Sequence, residues 1–134
     1  MTVASEQGHI AELAQAVLGQ AAARQVMAAL TIAPSLLEER GPAVSRAALA
    51  MAMNVILFHG LLERVPSGAA YVADTLARGG KVMFDHGALR TIRFADGPTG
   101  ALPAGEDAFT RIFLPLGYRL AGVYPLDRLK MTGR

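Results

Sequence analysis

The sequence predicts an α+β domain in which a helical N-terminal layer, residues 1–80, precedes a strand–helix–strand unit, residues 81–134. The first 80 residues place apolar side chains at helical spacing between glycine and proline breaks. The segment VMFDHGALRTIRF, residues 82–94, is instead rich in β-branched and aromatic residues and is flanked by glycines. A chain of 134 residues has the length of one domain with a substantial core. We therefore expect a single domain.

The composition excludes several classes of protein. Charged residues make up 18% and hydrophobic residues 52% of the chain, which excludes a disordered protein. A net charge of +2 with scattered arginines does not indicate a nucleic-acid partner. The chain has no cysteine, so it has no disulfides or thiolate metal sites, and we expect a cytoplasmic protein. Its first residues lack the pattern of a secretory signal.

The first helices follow from apolar spacing and from residues that end helices. Residues 9–30 predict one or two helices with a break near Gly19. Ser35 and Glu38 have the spacing of a capping box and predict a short helix. Gly41 ends it, and the next helix is expected over residues 42–61. That helix is apolar nearly all round but is shorter than the ~20 apolar residues of a membrane span, so we expect it in the core.

The second half changes pattern after another helix. Ser67 can cap a helix over residues 68–78, which two glycines end. The strand segment 82–94, either one strand or a bent pair, is followed by a loop rich in glycine and proline. A helix is expected over residues 106–116, with an apolar stripe formed by Phe109, Ile112, Phe113 and Leu116. A second strand is expected over residues 118–126.

His86 and Arg90 are the candidate functional residues. In a strand alternate residues share a face, which places both on the more apolar face, the one expected to point inward. An inward arginine needs an anion, because burying an unpaired cation costs several kcal/mol. That anion comes either from the protein or from a ligand. An inward histidine is a candidate metal ligand or acid/base group.

Each of these residues also has a purely structural interpretation. His86 can be a hydrogen-bonded core residue. Arg90 can pair with an internal carboxylate such as Asp85, Asp96 or Glu63, although alternation places Asp85 on the opposite face.

Three segments resemble a known family. DHGALRTIRF (85–94), EDAFTRIFLPLGYRLAGVYPL (106–126) and RLKMTGR (128–134) are similar to the 2-oxoadipate dioxygenase/decarboxylase family, also called hydroxyglutarate synthases. These iron-dependent enzymes are distantly related to the vicinal oxygen chelate superfamily. The resemblance covers residues 61–134 and is strongest over 84–90 and 116–134. It implies a curved mixed sheet that forms part of a vicinal-oxygen-chelate-like barrel, with residues 81–134 as the start of the metal-binding sheet.

The resemblance also implies a site. The family motif His-Gly-Ala-aliphatic-Arg stands here as residues 86–90, so His86 takes the place of an iron ligand and Arg90 that of the residue binding the substrate carboxylate. The implied cofactor is Fe(II), and the implied partners are a 2-oxo acid and molecular oxygen. The implied reaction decarboxylates and hydroxylates a 2-oxo diacid such as 2-oxoadipate to a 2-hydroxy acid.

Family members continue beyond the position of Arg134, and their second histidine and carboxylate ligand lie in that continuation. We therefore expect this chain to be the N-terminal part of a family member and to be inactive alone. His9 and His59 match no family motif and are not assigned as ligands. One alternative is a truncated, non-catalytic binding or assembly module that pairs through its sheet edge, with itself or with the missing part. Another is a related oxygen-chelate metalloenzyme with a different metal and reaction.

Overall fold

A computed structural model of the protein describes residues 7–93 and 101–134. The chain divides into two compact units, Met1–Leu89 and Arg90–Arg134, each considered by itself. The first unit contains five helices within the described residues, namely α1 His9–Leu18, α2 Gln20–Ala28, α3 Pro34–Leu37, α4 Arg46–Arg64 and α5 Pro66–Ala77. The predicted helical layer is therefore confirmed as a series of helices.

The predicted break near Gly19 separates α1 from α2. Gly19 has a φ of +81°, a left-handed value that glycine adopts without steric cost. Its N–H donates to the carbonyl of Gln15 and closes α1, and its own carbonyl accepts from the amide of Ala23 in α2. One glycine therefore ends one helix and begins the next.

The predicted helix caps were wrong, and the reason lies in the prolines. Ser35 and Ser67 lie inside α3 and α5, which begin at Pro34 and Pro66 and have no side-chain cap. Proline suits the first helical position because it lacks the N–H that would be unpaired there. The side-chain cap belongs to Ser45, whose Oγ accepts from the amide of Ala48 at 3.1 Å. For that reason α4 begins at Arg46, four residues later than predicted.

The core of the first unit forms where α4 packs on α1 and α2. Its fully buried large side chains are Ile10 in α1 and Val55 in α4. The predicted central position of α4 is confirmed, because α4 contacts α1, α2, α3 and α5. Its opposite side is not covered in this structure: Leu49, Leu57 and Leu61 are 44–50% exposed. By length and composition alone α4 could also cross a membrane, a property that core helices share.

The segment after α5 was predicted to be a strand, and this was wrong for the described residues. Only Val82 pairs, in a parallel bridge to Leu30, where Val82 accepts from Thr31 N at 2.8 Å and donates to Ala29 O at 2.9 Å. Residues 83–93 have no regular secondary structure, and Phe94 lies outside the described residues. A strand exists only as part of a ladder, and within the described residues this segment pairs with the chain at one position, Leu30.

The second unit contains one helix and a small hairpin. The helix α6, Glu106–Phe113, ends three residues before the predicted Leu116. The predicted strand over 118–126 is confirmed only at its end, as β1 Tyr124–Leu126. A second strand that was not predicted, β2 Met131–Gly133, pairs antiparallel with β1 after a 3₁₀ turn over Asp127–Leu129.

The described residues are thus α+β, rich in helix, with one two-stranded antiparallel sheet. They contain no curved mixed sheet, so the barrel stays a prediction. The chain divides into two compact units, and the expectation of a single, incomplete domain stays a prediction.

Candidate functional site

His86 lies in the extended segment that follows the Val82 bridge. Its side chain is 84% exposed, and its Nδ1 lies 3.0 Å from Oδ2 of Asp85. This contact engages Nδ1 and leaves Nε2 as the ring nitrogen directed away from the carboxylate. A carboxylate on one ring nitrogen fixes the tautomer and orientation of a histidine, which is how many metal-binding histidines are held.

The predicted inward orientation of His86 is wrong for this chain. Alternation does hold at the start of the segment, where Val82 and Phe84 are half-buried and Met83 and Asp85 are exposed. Phe84 packs edge-on against Phe58 of α4, with ring centroids 5.3 Å apart. Beyond Phe84 the side chains of residues 85–93 are exposed, so the predicted inward face is open to solvent.

Arg90 is also exposed and begins the second compact unit. The boundary falls between it and His86, so the structure does not bring the two predicted site residues together within one unit. Of the three carboxylates considered as partners, Asp85 contacts His86, Glu63 lies 3.7 Å from His59, and Asp96 lies outside the described residues. Within residues 7–93 and 101–134, Arg90 forms no ion pair.

The donor set of the described chain does not by itself make an iron centre. Among residues 7–93 and 101–134 there is no group of three or more His, Asp or Glu side chains that could hold a metal ion. An Fe(II) site of the facial-triad type needs two histidines and one carboxylate. His59 does not add a ligand next to His86: it lies half-buried on α4, one turn before Glu63. His86 therefore stands as a single predicted ligand.

A second polar cluster, formed by His9, Glu39 and Ser45, was not selected from the sequence. His9, the first residue of α1, is only 5% exposed. Its Nδ1 lies 3.1 Å from Oε1 of Glu39 and its Nε2 lies 3.0 Å from the carbonyl oxygen of Gly41. The backbone N–H of His9 also donates to the carbonyl of Glu39 at 2.9 Å. The cluster thus fixes the start of α1 to the segment that follows α3.

Glu39 connects this histidine to the start of α4. Its Oε1 accepts from the backbone N–H of Ser45 at 2.8 Å, and its Oε2 accepts from the Ser45 hydroxyl at 2.6 Å. These hydrogen bonds, and that with His9, lower the pKa of Glu39 below its usual value. The carboxylate of Glu39 and the carbonyl of Gly41 raise the pKa of His9, although burial acts in the opposite direction.

The order of these groups excludes a nucleophilic triad. In such a triad the histidine contacts the hydroxyl and the carboxylate orients the histidine. Here Glu39 lies between Ser45 and His9, so the serine hydroxyl donates to the carboxylate and the His9 ring does not contact the hydroxyl. A sequence signal for the cluster did exist. A histidine in the first turn of a helix meets the positive end of the helix dipole, so His9 indicated a nearby carboxylate.

Comparison with known proteins gives one informative similarity. No protein-family model matches the sequence, and no curated protein matches it. A crystal structure of a glyoxalase superfamily protein from Ralstonia eutropha JMP134 is similar over 92% of this chain, with 51% sequence identity and a TM-score of 0.82. The chain spans 38% of the length of that protein chain.

The similarity supports the coarser part of the resemblance. The glyoxalase superfamily is of the vicinal oxygen chelate type, to which the 2-oxoadipate dioxygenases are distantly related, and its members are often enzymes. It is also consistent with an α+β fold. The narrower assignments, to a dioxygenase, to iron and to a 2-oxo diacid, are not tested by it.

Proposed function

We propose that the chain is the N-terminal part of an Fe(II)-dependent dioxygenase that decarboxylates and hydroxylates a 2-oxo diacid such as 2-oxoadipate to a 2-hydroxy acid. The observation that carries this proposal is the 51% identity to a glyoxalase superfamily protein over 92% of the chain. Within that superfamily, the resemblance of residues 86–90 to the family motif His-Gly-Ala-aliphatic-Arg supports this particular activity. In the proposed whole protein, the segment after Val82 becomes a strand of a vicinal-oxygen-chelate-like barrel.

His86 is the metal ligand that this chain contributes, and the other ligands lie outside the described residues. Its contact with Asp85 supports the role, because a carboxylate on Nδ1 leaves Nε2 as the coordinating atom. Bound iron would supply the open positions for the 2-oxo acid and for molecular oxygen. His59, on a helix and beside Glu63, is not part of the proposed site.

Arg90 binds the distal carboxylate of the substrate. A guanidinium presents two parallel N–H groups that match the two oxygens of a carboxylate. Within the described ranges Arg90 is exposed and forms no ion pair. The proposed partners are small molecules, a 2-oxo acid and molecular oxygen, and include neither nucleic acid nor a membrane. The proposed location is the cytoplasm.

The experiment compares catalytic efficiency for a 2-oxo diacid and a 2-oxo monoacid in the whole protein. Arg90→Met keeps length and apolar volume but removes the charge, and it should cost about 2–5 kcal/mol for the diacid alone, or roughly 30- to several-thousand-fold. Arg90→Lys should recover part of this loss because an ammonium lacks the planar fork. Arg93→Met is the matched control in the same segment and should leave the ratio unchanged. Equal losses for both substrates would show that Arg90 is structural.

The proposed role of His86 as an iron ligand is tested by the iron content of the protein as well as by its activity. His86→Ala should lower the bound iron and abolish turnover of both substrates, whereas His59→Ala should change neither. The isolated 134-residue chain should bind Fe(II) weakly and consume no oxygen with 2-oxoadipate, because it contributes a single predicted ligand. Steady turnover by this chain at stoichiometric iron would contradict the proposal that other ligands lie elsewhere.

A second candidate function, a non-catalytic assembly module, is favoured by the hairpin of the second unit. Its two strands pair only with each other in the described chain, which leaves an outer edge on each. Tyr124 and Leu126 of β1 are 61% and 43% exposed, and Leu129 in the turn between the strands is 61% exposed. Unpaired edges with apolar side chains promote association between chains. Light scattering on the 134-residue chain should show dimers or larger species, and a monomer at high concentration would contradict this candidate.

A further inference from the structure

We infer that His9, Glu39 and Ser45 form a proton-dependent clamp that joins the start of α1 to the start of α4 and is closed while His9 is doubly protonated. The clamp lies in the first compact unit and is independent of the proposed enzyme site. It links the first residue of α1 to Glu39, 30 residues later in the segment after α3, and Glu39 to the cap of α4, six residues further on.

The proton requirement follows from the hydrogen-bond partners of the His9 ring. Both ring nitrogens lie within hydrogen-bond distance of oxygens that only accept, at 3.1 Å for Glu39 and 3.0 Å for Gly41. A neutral imidazole has one N–H and satisfies one of them, whereas an imidazolium donates to both. Because His9 is 5% exposed, water does not readily replace the lost bond. Loss of the proton therefore breaks one side of the clamp.

The charges around the ring favour the protonated form. Glu39, from the segment after α3, and Glu12, from α1 itself, both act on His9, and both are carboxylates. Arg40 and Arg46 lie on the neighbouring segment and on α4, and both are exposed. Neither forms an ion pair with Glu39 among the described residues. The carboxylate of Glu39 is thus directed to His9 and to the α4 cap rather than to an arginine.

The pH range of the clamp has two limits. The pKa of His9 is raised above its usual 6.5, so its contribution is complete below that pH and is lost as the pH rises through the folded-state value. The pKa of Glu39 is lowered below its usual 4.5, so its contribution is complete above that pH and is lost as the pH falls through the folded-state value. The clamp is therefore fully closed between these two usual values, and it opens as the pH rises through the raised pKa of His9 or falls through the lowered pKa of Glu39.

The first test is an NMR titration of the three histidine rings in the 134-residue chain. Single variants His59→Gln and His86→Gln assign the signals, since the chain contains three histidines. The His9 ring should titrate above the usual histidine value, and in the range below its pKa both ring nitrogens should show protonated chemical shifts. A His9 ring that is neutral at pH 6, or that titrates below the usual value, would overturn the inference.

The second test measures opening of the clamp by hydrogen exchange at the amides of Ser45 and Ala48, the two donors on the α4 side. After correction for intrinsic exchange, protection should fall with rising pH by about tenfold for each unit separating the closed- and open-state pKa values of His9. In His9→Gln this pH dependence should disappear, whereas His59→Gln should keep it. Identical pH profiles in the chain and in His9→Gln would overturn the inference. If His9→Gln does not fold, the titration of the unmodified chain decides.

Discussion

Replacement of Ser45 by alanine tests whether α4 is capped where the structure places its cap. The Ser45 hydroxyl makes two contacts at once, accepting from the amide of Ala48 at 3.1 Å and donating to the carboxylate of Glu39 at 2.6 Å. Ser45→Ala removes both contacts while the backbone N–H of residue 45 keeps its bond to Glu39. The variant therefore isolates the hydroxyl.

The hydrogen bond from the Ala48 amide to the Ser45 hydroxyl sets the smallest loss of stability expected for Ser45→Ala. Loss of a serine N-cap costs about 1 kcal/mol, with a range of roughly 0.5–2 kcal/mol. Loss of the hydroxyl donor to Glu39 adds to this, because a carboxylate that keeps its other donors still loses one of its shortest bonds. For a unit of this size a loss of 1 kcal/mol lowers Tm by about 4–8 °C, so a decrease of at least that order is expected.

Two other serines provide matched controls. Ser35 and Ser67 lie in the first turns of α3 and α5 and make no cap hydrogen bond. Ser35→Ala and Ser67→Ala should therefore leave the free energy of unfolding within about 0.5 kcal/mol of the parent. The assay is urea unfolding followed by the helical circular dichroism signal. If the three variants lose equal stability, or if Ser67→Ala loses more than Ser45→Ala, the cap assignment is refuted.

Three further predictions concern the same unit. Gly8→Ala should lower the free energy of unfolding by about 1–3 kcal/mol, because a Cβ there meets the carbonyl oxygen of Leu37. Gly60→Ala lies one turn before the end of α4, where a Cβ meets only the Arg64 side chain at 3.8 Å, and it should raise the free energy of unfolding by about 0.5–1 kcal/mol; urea unfolding measures both. Val55→Ala should cost about 2 kcal/mol in the same assay, since it removes two methyl groups from a fully buried side chain and leaves a cavity. Below pH 4.5 stability should fall as the carboxylate of Glu39 is protonated, and Glu39→Gln should reduce this acid dependence in a circular dichroism titration.

The helices were predicted well because their signals are local. A glycine at +81° between two apolar runs separates α1 from α2 whatever lies around it. The apolar composition of α4 likewise placed it centrally, since a helix with so few charges must pack on several neighbours. The cap predictions failed because serine, proline and glycine are all common at the positions where a helix begins. The sequence alone does not show which of them determines the first helical residue. At Pro34 and Pro66 the proline determined the first residue of the helix.

The polar cluster was missed for a different reason. His9 and Glu39 are 30 residues apart, and nothing in the sequence between them indicates that the chain returns to α1. The three residues have neither the spacing of metal ligands nor that of a nucleophile and its base, so no sequence motif marks them. The position of His9 at a helix N-terminus, unfavourable for a cation without an acidic partner, was the one usable signal.

The segment around His86 shows the limit of alternation as a predictor. Alternation assigns faces, but a face is inward only where a second layer covers it. Val82 has a neighbouring backbone at Leu30 and Phe84 has the ring of Phe58, and these are the two residues of the segment that are half-buried. Residues 85–93 belong to no ladder, and their side chains are exposed. For the same reason, His86 becomes inward only when another strand pairs with its segment. That pairing, rather than the motif alone, would turn one exposed histidine into part of a metal site.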